Sequence, residues 1–152
     1  MKKYLQKKLN NEKGMTLIEL LAVIVIIAII AAIAIPAIGN IIENSRVGAA
    51  KSDALNAMAA AELYLADNPT LTTVANIGVL SPGYLDDPGT LSAFTYTPAT
   101  GGVAATMTGT AGVQGGITIT FGVGAGTTKD HINAFPNNTP NGTVTTISIA
   151  NR

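Results

Sequence analysis

The sequence predicts an α+β fold in which one long N-terminal helix, kinked near Pro36, packs against a small antiparallel β-sheet. Three features lead to this prediction: an uncharged apolar run, a helical repeat of apolar residues directly after it, and a Thr- and Gly-rich second half with short alternating runs. We therefore divide the chain into a basic leader (1–14), a helix (15–68, with a hydrophobic span at 15–39), a connecting loop (69–93) and a β-sheet head (94–152).

The apolar run Leu20–Gly39 predicts a membrane-spanning helix. It carries no charged residue, and about 20 helical residues cross the roughly 30 Å of a bilayer's hydrocarbon core. Five lysines precede the run and only Glu12 opposes them in the leader, so the positive-inside rule keeps the N-terminus in the cytoplasm. Pro36 and Gly39 lie where the run ends, and proline removes one helical hydrogen bond. We expect a single-pass membrane protein with a helix kink at these two residues.

An ordinary secretory signal peptide is the alternative interpretation of the leader and the apolar run. Ala32-Ile33-Ala34 fits the A-x-A pattern of a signal-peptidase site, and cleavage there would release a soluble β-domain beginning at Ile35. That cut would discard a helix which the sequence continues further. It also leaves Glu19, a carboxylate directly before the span, without a function. A cut between Gly14 and Met15 would keep the span in the product.

An amphipathic stretch continues the helix after the apolar span. Asn68-Pro69 ends it. Its apolar residues recur every three or four positions, which places them on one helix face: Val47, Ala50, Ala54, Met58, Ala61 and Leu65. We expect this stripe to form the core beneath a C-terminal sheet.

Four short alternating runs predict the strands of an antiparallel sheet: 94–97, 103–108, 117–123 and 143–149. In Ile117–Phe121 the apolar residues share one face and the threonines share the other. The apolar face suits packing on the helix stripe, while the threonines face water. Asn141-Gly142 predicts a turn before the last strand.

The sequence offers little support for catalysis, a cofactor or a metal. It has no cysteine and one histidine, and it lacks the common zinc-protease, nucleophile-elbow and P-loop motifs. We interpret His131 as a solvated loop residue and Gly122–Gly126 as turn glycines with no helix after them. Asp86-Asp87 lacks the further oxygen ligands that calcium needs. After the leader, four basic side chains face eight acidic ones, which disfavours direct nucleic-acid binding.

The stretch from Lys13 to Leu20, KGMTLIEL, followed by the apolar helix and Pro36, resembles the class III signal of type IV pilins and pseudopilins. In that family a prepilin peptidase cuts after the glycine and methylates the new N-terminal amine, and the glutamate supports assembly into a helical filament. The resemblance therefore implies cleavage between Gly14 and Met15, N-methylation of Met15 and an assembly function for Glu19 and Thr16. The family more often has phenylalanine where this chain has Met15.

Two interpretations of Glu19 stay open at this point. Thr16-Leu17-Ile18-Glu19 matches the S/T-x-x-E capping box, which satisfies free N–H groups at a helix start. Alternatively, Glu19 acts through its charge, because a carboxylate at the edge of hydrocarbon costs up to about 3 kcal/mol unless it meets a cation. Cleavage at Gly14 creates such a cation on Met15, four residues earlier on the same helix face. In this interpretation, Glu19 pairs with the Met15 amine of an adjacent subunit.

The resemblance predicts the major structural subunit of a type IV pilus, with no enzymatic activity, which forms a surface filament after leader removal. It implies as partners a prepilin peptidase, an inner-membrane platform protein, an assembly ATPase, membrane lipid before assembly and other copies of the chain. A major pseudopilin of a competence DNA-uptake or type II secretion system is the alternative within the family. A secreted soluble β-domain is the alternative from another class. The sequence does not choose between motility, adhesion, DNA uptake and secretion.

Overall fold

The computed structural model describes residues 16–74, 76–81, 83–113, 117–122, 126–137 and 146–149. The chain forms two compact units, residues 1–39 and 40–152. The elements follow in the order α1 (Leu17–Asp67), a 3-10 turn (Ile77–Val79), β1 (Leu91–Thr97), β2 (Thr106–Val113), β3 (Ile117–Phe121), α2 (Lys129–Ala134) and β4 (Thr146–Ile149). A long N-terminal helix followed by a small sheet confirms the predicted α+β class.

Helix α1 is long and apolar enough in its first half to cross a membrane, by length and composition. It remains helical through Pro36 and Gly39 over its 51 residues. Since Pro36 has no N–H, the helix still lacks one of its hydrogen bonds there. The kink at Pro36 and Gly39 stays a prediction.

The second half of α1 buries the apolar stripe that the sequence predicts. Val47, Ala54 and Met58 are fully buried, and Leu65 packs partly buried against the same core. The remaining buried residues of the helix are alanines: Ala50, Ala57, Ala60 and Ala61. Small side chains let the sheet approach the helix closely, so an alanine-rich stripe serves both helix propensity and packing. The prediction that this stripe forms the core is confirmed.

The sheet has the strand order β1-β2-β3-β4, and its first three strands are antiparallel as predicted. Two strands differ in extent from the prediction, because β1 begins at Leu91 and β2 runs from Thr106 to Val113. The fourth strand corrects the prediction of an all-antiparallel sheet, since β4 pairs with β3 in parallel. Parallel neighbours need a crossover of a dozen or more residues, and residues 122–145 supply that length and include α2.

One face of the sheet packs on the helix stripe, and its apolar residues alternate with threonines on the other face. Strand β3 shows the predicted pattern, because Ile119 and Phe121 are buried while Thr118 is exposed. Strands β1 and β2 contribute these residues to the same core: Leu91, Phe94, Tyr96, Met107 and Ala111. The head therefore has one apolar layer between helix and sheet.

A tight turn joins β1 to β2, and a short added pairing extends the sheet beside β1. Thr100 and Val103 exchange backbone hydrogen bonds of 3.1 and 3.0 Å across Gly101 and Gly102, both of which have positive φ, as a two-residue hairpin turn requires. This turn lies where the sequence suggested that a strand begins. In the predicted loop, Val74 pairs with Tyr96 of β1. The turn expected at Asn141-Gly142 lies outside the described residues.

Candidate functional site

The helix start contains the capping box that the sequence suggests. The carboxylate oxygen Oε2 of Glu19 accepts hydrogen bonds from the backbone N–H of Thr16 at 2.8 Å and from its hydroxyl at 2.9 Å. In return, the backbone N–H of Glu19 donates to the Thr16 hydroxyl at 3.3 Å. Two free N–H groups of the first turn are thereby satisfied. The capping interpretation of Glu19 is present in the structure, and its charged interpretation remains compatible with it.

The apolar side chains of the first half of α1, on both sides of Glu19, are uncovered. Leu17 is 88% exposed, Ile33 is 71% exposed and Ile41 is 65% exposed. Exposed apolar patches beyond a few hundred Å² mark protein or membrane contacts in folded proteins. This half of the helix is therefore built to be covered by lipid or by other protein chains.

The predicted cleavage residues Gly14 and Met15 lie outside the described residues. Thr16 is the first residue that the structure describes, and it begins the capping box directly after the expected cut. The structure therefore describes the predicted assembly residues Thr16 and Glu19, and their assembly function, cleavage at Gly14 and methylation of Met15 all stay predictions.

Polar contacts join the second half of α1 to the head. One group of them consists of Glu62 of α1, Tyr96 of β1 and Lys129 of α2, and we call it the Glu62 cluster. The Tyr96 hydroxyl donates to Oε1 of Glu62 at 2.9 Å. The Lys129 ammonium contacts both Glu62 oxygens, at 2.7 and 2.8 Å. The cluster thus joins α1, β1 and α2 through one carboxylate.

The environment of the Glu62 cluster shifts the pKa values of its members. Burial raises the pKa of Glu62, but hydrogen bonds from Lys129 and Tyr96 and the charge of Lys129 outweigh it, so the pKa lies below its usual value. Burial first, then the hydrogen bond to Glu62 and its charge, raise the pKa of Tyr96 above its usual range. Both shifts keep the tyrosine neutral and the carboxylate charged, which is the pairing that the hydrogen bond requires.

The other charged residues between Lys51 and Asp67 on α1 also contact the head. Asp53 accepts hydrogen bonds from the backbone N–H and the hydroxyl of Thr90, at 2.9 and 2.8 Å. Lys51 donates to the side-chain oxygen of Asn137 at 3.0 Å, and Tyr84 donates to Asp67 at 2.8 Å. No local sequence pattern predicts these contacts. Their only signal was that Lys51, Asp53 and Glu62 fall off the apolar stripe.

Two predictions about the segment before β4 are wrong. His131 lies in α2 rather than in a loop, and its Nδ1 accepts a hydrogen bond from the Thr128 backbone N–H at 3.4 Å in a second capping box. A helix therefore does follow Gly122–Gly126, although α2 has only six residues. Gly122 and Gly126 still have the positive φ values, 67° and 83°, that favour glycine in turns. Among the described residues, no three His, Cys, Asp or Glu side chains lie close enough to hold a metal.

Comparison with known families places the helix start in context. Residues 9–35 match the model of the prokaryotic N-terminal methylation motif. The chain carries a class III signal. This is the signal of type IV pilins and pseudopilins, and it supports a precursor of one of these two kinds. Both are structural rather than enzymatic proteins. No curated protein and no solved structure gave a significant match to the chain.

The class III signal agrees with the geometry at the start of α1. The matched residues include Glu19 and most of the apolar span. The signal implies processing by a prepilin peptidase and assembly into pili. The N-terminal apolar helix fits a membrane-anchored precursor.

Proposed function

We propose that this chain is the major subunit of a type IV pilus and that it polymerises into a helical filament after its leader is removed. The supporting observation is the class III signal on a helix whose first half is uncovered. Leu17, Ile33 and Ile41 are each more than 60% exposed, and water is a poor environment for such a surface. Lipid covers it before assembly, and neighbouring helices cover it in the filament.

In this proposal the leader holds the N-terminus in the cytoplasm until prepilin peptidase cuts between Gly14 and Met15. Removal of the leader takes away a net charge of +4 and leaves a product of net −4 in side-chain charge. The inner-membrane platform protein and the assembly ATPase then move the subunit from the membrane into the surface filament. Nucleic acid is not a partner, because the acidic product would repel phosphates.

Glu19 supplies the polar contact of assembly in this proposal. Leaving lipid for a protein bundle keeps the carboxylate in an apolar environment, where an unpaired charge is costly. The new amine of Met15 on an adjacent subunit is the cation that neutralises it. This pairing would also fix the stagger between neighbouring helices, because only one register brings the two groups together.

The first experiment determines the intact mass and the N-terminal fragments of protein sheared from the cell surface. A chain that starts at Met15, with or without one methyl group, and that occurs in filaments is the expected result. A chain that starts near Ile35 and occurs only in the medium would replace the proposal with a secreted soluble domain. Short filaments confined to the cell envelope, seen by electron microscopy, would favour a pseudopilin.

The second experiment tests the charge of Glu19 with the variant Glu19→Gln. The amide keeps an oxygen for the capping box but removes the charge, so we expect processing at Met15 to continue while filament yield falls by about tenfold or more. The matched control is Glu43→Gln, which neutralises the other carboxylate of the first two-thirds of α1. Normal filament yield from Glu19→Gln would refute the ion pair.

A further inference from the structure

The outer face of the sheet is lined with threonines. On strands β1 to β3 these threonines alternate with the buried core residues, so they lie on the side of the sheet that faces away from α1. Thr95 lies directly opposite Thr108 on the neighbouring strand. Thr110 lies opposite Thr120 in the same way. We call this surface, whose members are exposed or partly exposed, the threonine face: Thr95, Thr97, Thr108, Thr110, Thr118 and Thr120.

The threonine face carries no charge. No residue between Asp87 and Lys129 is charged, and this stretch contains β1, β2 and β3. The charged side chains that contact the head, such as Asp53 and Glu62, belong to α1 on the other side of the sheet. Soluble proteins usually mix charges of both signs over their surfaces, which limits association. Another chain can cover this neutral face without removing a charge from water.

We propose that the threonine face is the contact through which the heads of two separate filaments associate side by side, each presenting the same face to the other. This inference rests on the proposed function and goes beyond it. Threonine methyl groups provide apolar contact, and threonine hydroxyls both donate and accept hydrogen bonds, so two such faces complement each other. Because the threonine side chain is stiff about its first torsion, little rotamer freedom is lost on contact.

The size of the threonine face favours a partner that repeats. With about 4.8 Å between strands and a rise of about 3.4 Å per residue, the outer side of the sheet measures on the order of 300 Å². A stable pair of proteins buries about 800 Å² on each partner, so a single contact of this size is weak. A filament repeats the face in every subunit, and many weak contacts between two filaments add up to a strong one.

The composition of the face disfavours a small ligand. The aromatic side chains of β1 and β3 are buried in the core, as the exposures of Phe94, Tyr96 and Phe121 show. The face therefore presents neither aromatic rings nor a concave pocket, which small-molecule sites usually have.

The charge on the rest of the chain gives the association a characteristic salt dependence. After the leader, four basic side chains face eight acidic ones, so filaments of this chain repel one another. The threonine face lies on the opposite side of the sheet from α1, and contacts made by α1 do not cover it. Because salt screens the repulsion, association through a neutral face should strengthen as salt is added.

Substitutions to charged residues test the threonine face. Thr118→Lys and Thr118→Glu place opposite charges at the same exposed position, and the matched controls are Thr72→Lys and Thr72→Glu in the exposed segment before β1. Filaments are sheared from cells and separated into bundles, which pellet at low speed, and single filaments, which pellet only at high speed. Electron microscopy checks both fractions, and the urea midpoint of the head checks folding. If the Thr118 variants unfold, the same substitutions at the exposed Thr97 take their place.

We expect wild-type filaments to form bundles, and the bundled fraction to rise when salt is raised from about 20 to about 300 mM. Both Thr118 variants should lower the bundled fraction by about tenfold or more, because every contact along the filament would bury a charge. Total filament yield and both Thr72 variants should match wild type. If Thr118→Lys strengthens bundling while Thr118→Glu weakens it, net charge rather than the face controls association and the inference is overturned. Bundles that dissolve as salt is added, or an equal loss in the Thr72 variants, would also overturn it.

Failure of this inference and failure of the proposed function give different results. If the wild-type chain forms no filaments, the proposed function fails. If wild-type filaments form but stay single at every salt concentration, only the inference about the threonine face is refuted. Single filaments that pellet with an insoluble polysaccharide would refute the second filament as the partner and assign the face to that polymer.

Discussion

Removal of one buried hydroxyl, by Tyr96→Phe, should destabilise the head more than removal of a similar hydroxyl near the surface, by Tyr84→Phe. The two tyrosines make comparable hydrogen bonds to carboxylates, of 2.9 Å to Glu62 and 2.8 Å to Asp67. They differ in burial, because Tyr96 is 1% exposed and Tyr84 is partly open to water. Phenylalanine keeps the ring packing in both, so the comparison isolates burial.

The expected cost follows from the partner that each substitution leaves behind. A hydrogen bond to a charged group contributes about 1.5–3 kcal/mol to stability, and less where water can replace the lost donor. In Tyr96→Phe, Glu62 keeps its ion pair with Lys129, and the Glu62 side chain is 45% exposed to water. The loss of stability should therefore lie near the lower end of this range, at about 1.5 kcal/mol. Water replaces the Tyr84 hydroxyl at Asp67, so Tyr84→Phe should cost less than about 0.5 kcal/mol.

The assay is pulse proteolysis of the full chain in detergent micelles over a urea series, which measures the unfolded fraction of the head. With a denaturant slope of about 1.5 kcal/mol per molar urea, Tyr96→Phe should lower the midpoint by about 1 M. Tyr84→Phe should leave the midpoint nearly unchanged. Equal shifts for the two variants would refute the reasoning that burial decides the value of these hydrogen bonds.

Two further predictions concern the sheet and its pH dependence. A Cβ on Gly109 would lie against the backbone oxygen of Ala93, whereas a Cβ on Gly112 of the same strand meets nothing within 4 Å. Gly109→Ala should therefore lower the free energy of unfolding by about 2 kcal/mol or more, and Gly112→Ala by less than about 0.5 kcal/mol. The same urea assay measures both. The pKa of Glu62 is lower in the folded protein than in the unfolded chain. The charged form of Glu62 therefore stabilises the fold fully above about pH 4.3, the usual pKa of glutamate. This stabilisation is lost as the pH falls through the lowered pKa. The stability difference between wild type and Glu62→Gln should thus be present at pH 7 and shrink toward pH 3; a constant difference would contradict this assignment.

The sequence was a good guide where one periodic pattern determined an element. The stripe from Val47 to Leu65 and the alternation in Ile117–Phe121 each have one favourable placement, and the structure has both. It was a poor guide to β4, because alternation reveals a strand but contains no information on its direction. Helix α2 was missed since six residues, Lys129–Ala134, are too few for a helical repeat, and its capping box depends on the His131 side chain rather than on a glutamate.

The candidate site was likewise predictable only where its residues lie close together in the sequence. The spacing of Thr16 and Glu19 indicated both a capping box and a charged function, and the structure shows the first in full detail. The Glu62 cluster was invisible, because its members are separated by 34 and 67 positions in the chain. Contacts between distant residues depend on the packing of helix and sheet, which no local pattern contains.

If Glu19 acts in assembly as we propose, different charged residues of α1 serve folding and assembly. Lys51, Asp53, Glu62 and Asp67 each contact the head, whereas Glu19 is the one charged residue of the helix before Glu43. Substitutions in the first group should therefore change the stability of the head without changing how Glu19 meets a partner. Substitutions at Glu19 should change assembly without changing the urea midpoint of the head. Measurement of both quantities for Asp53→Asn and Glu19→Gln would test this separation, and a shift of both quantities in either variant would show that folding and assembly are coupled along the helix.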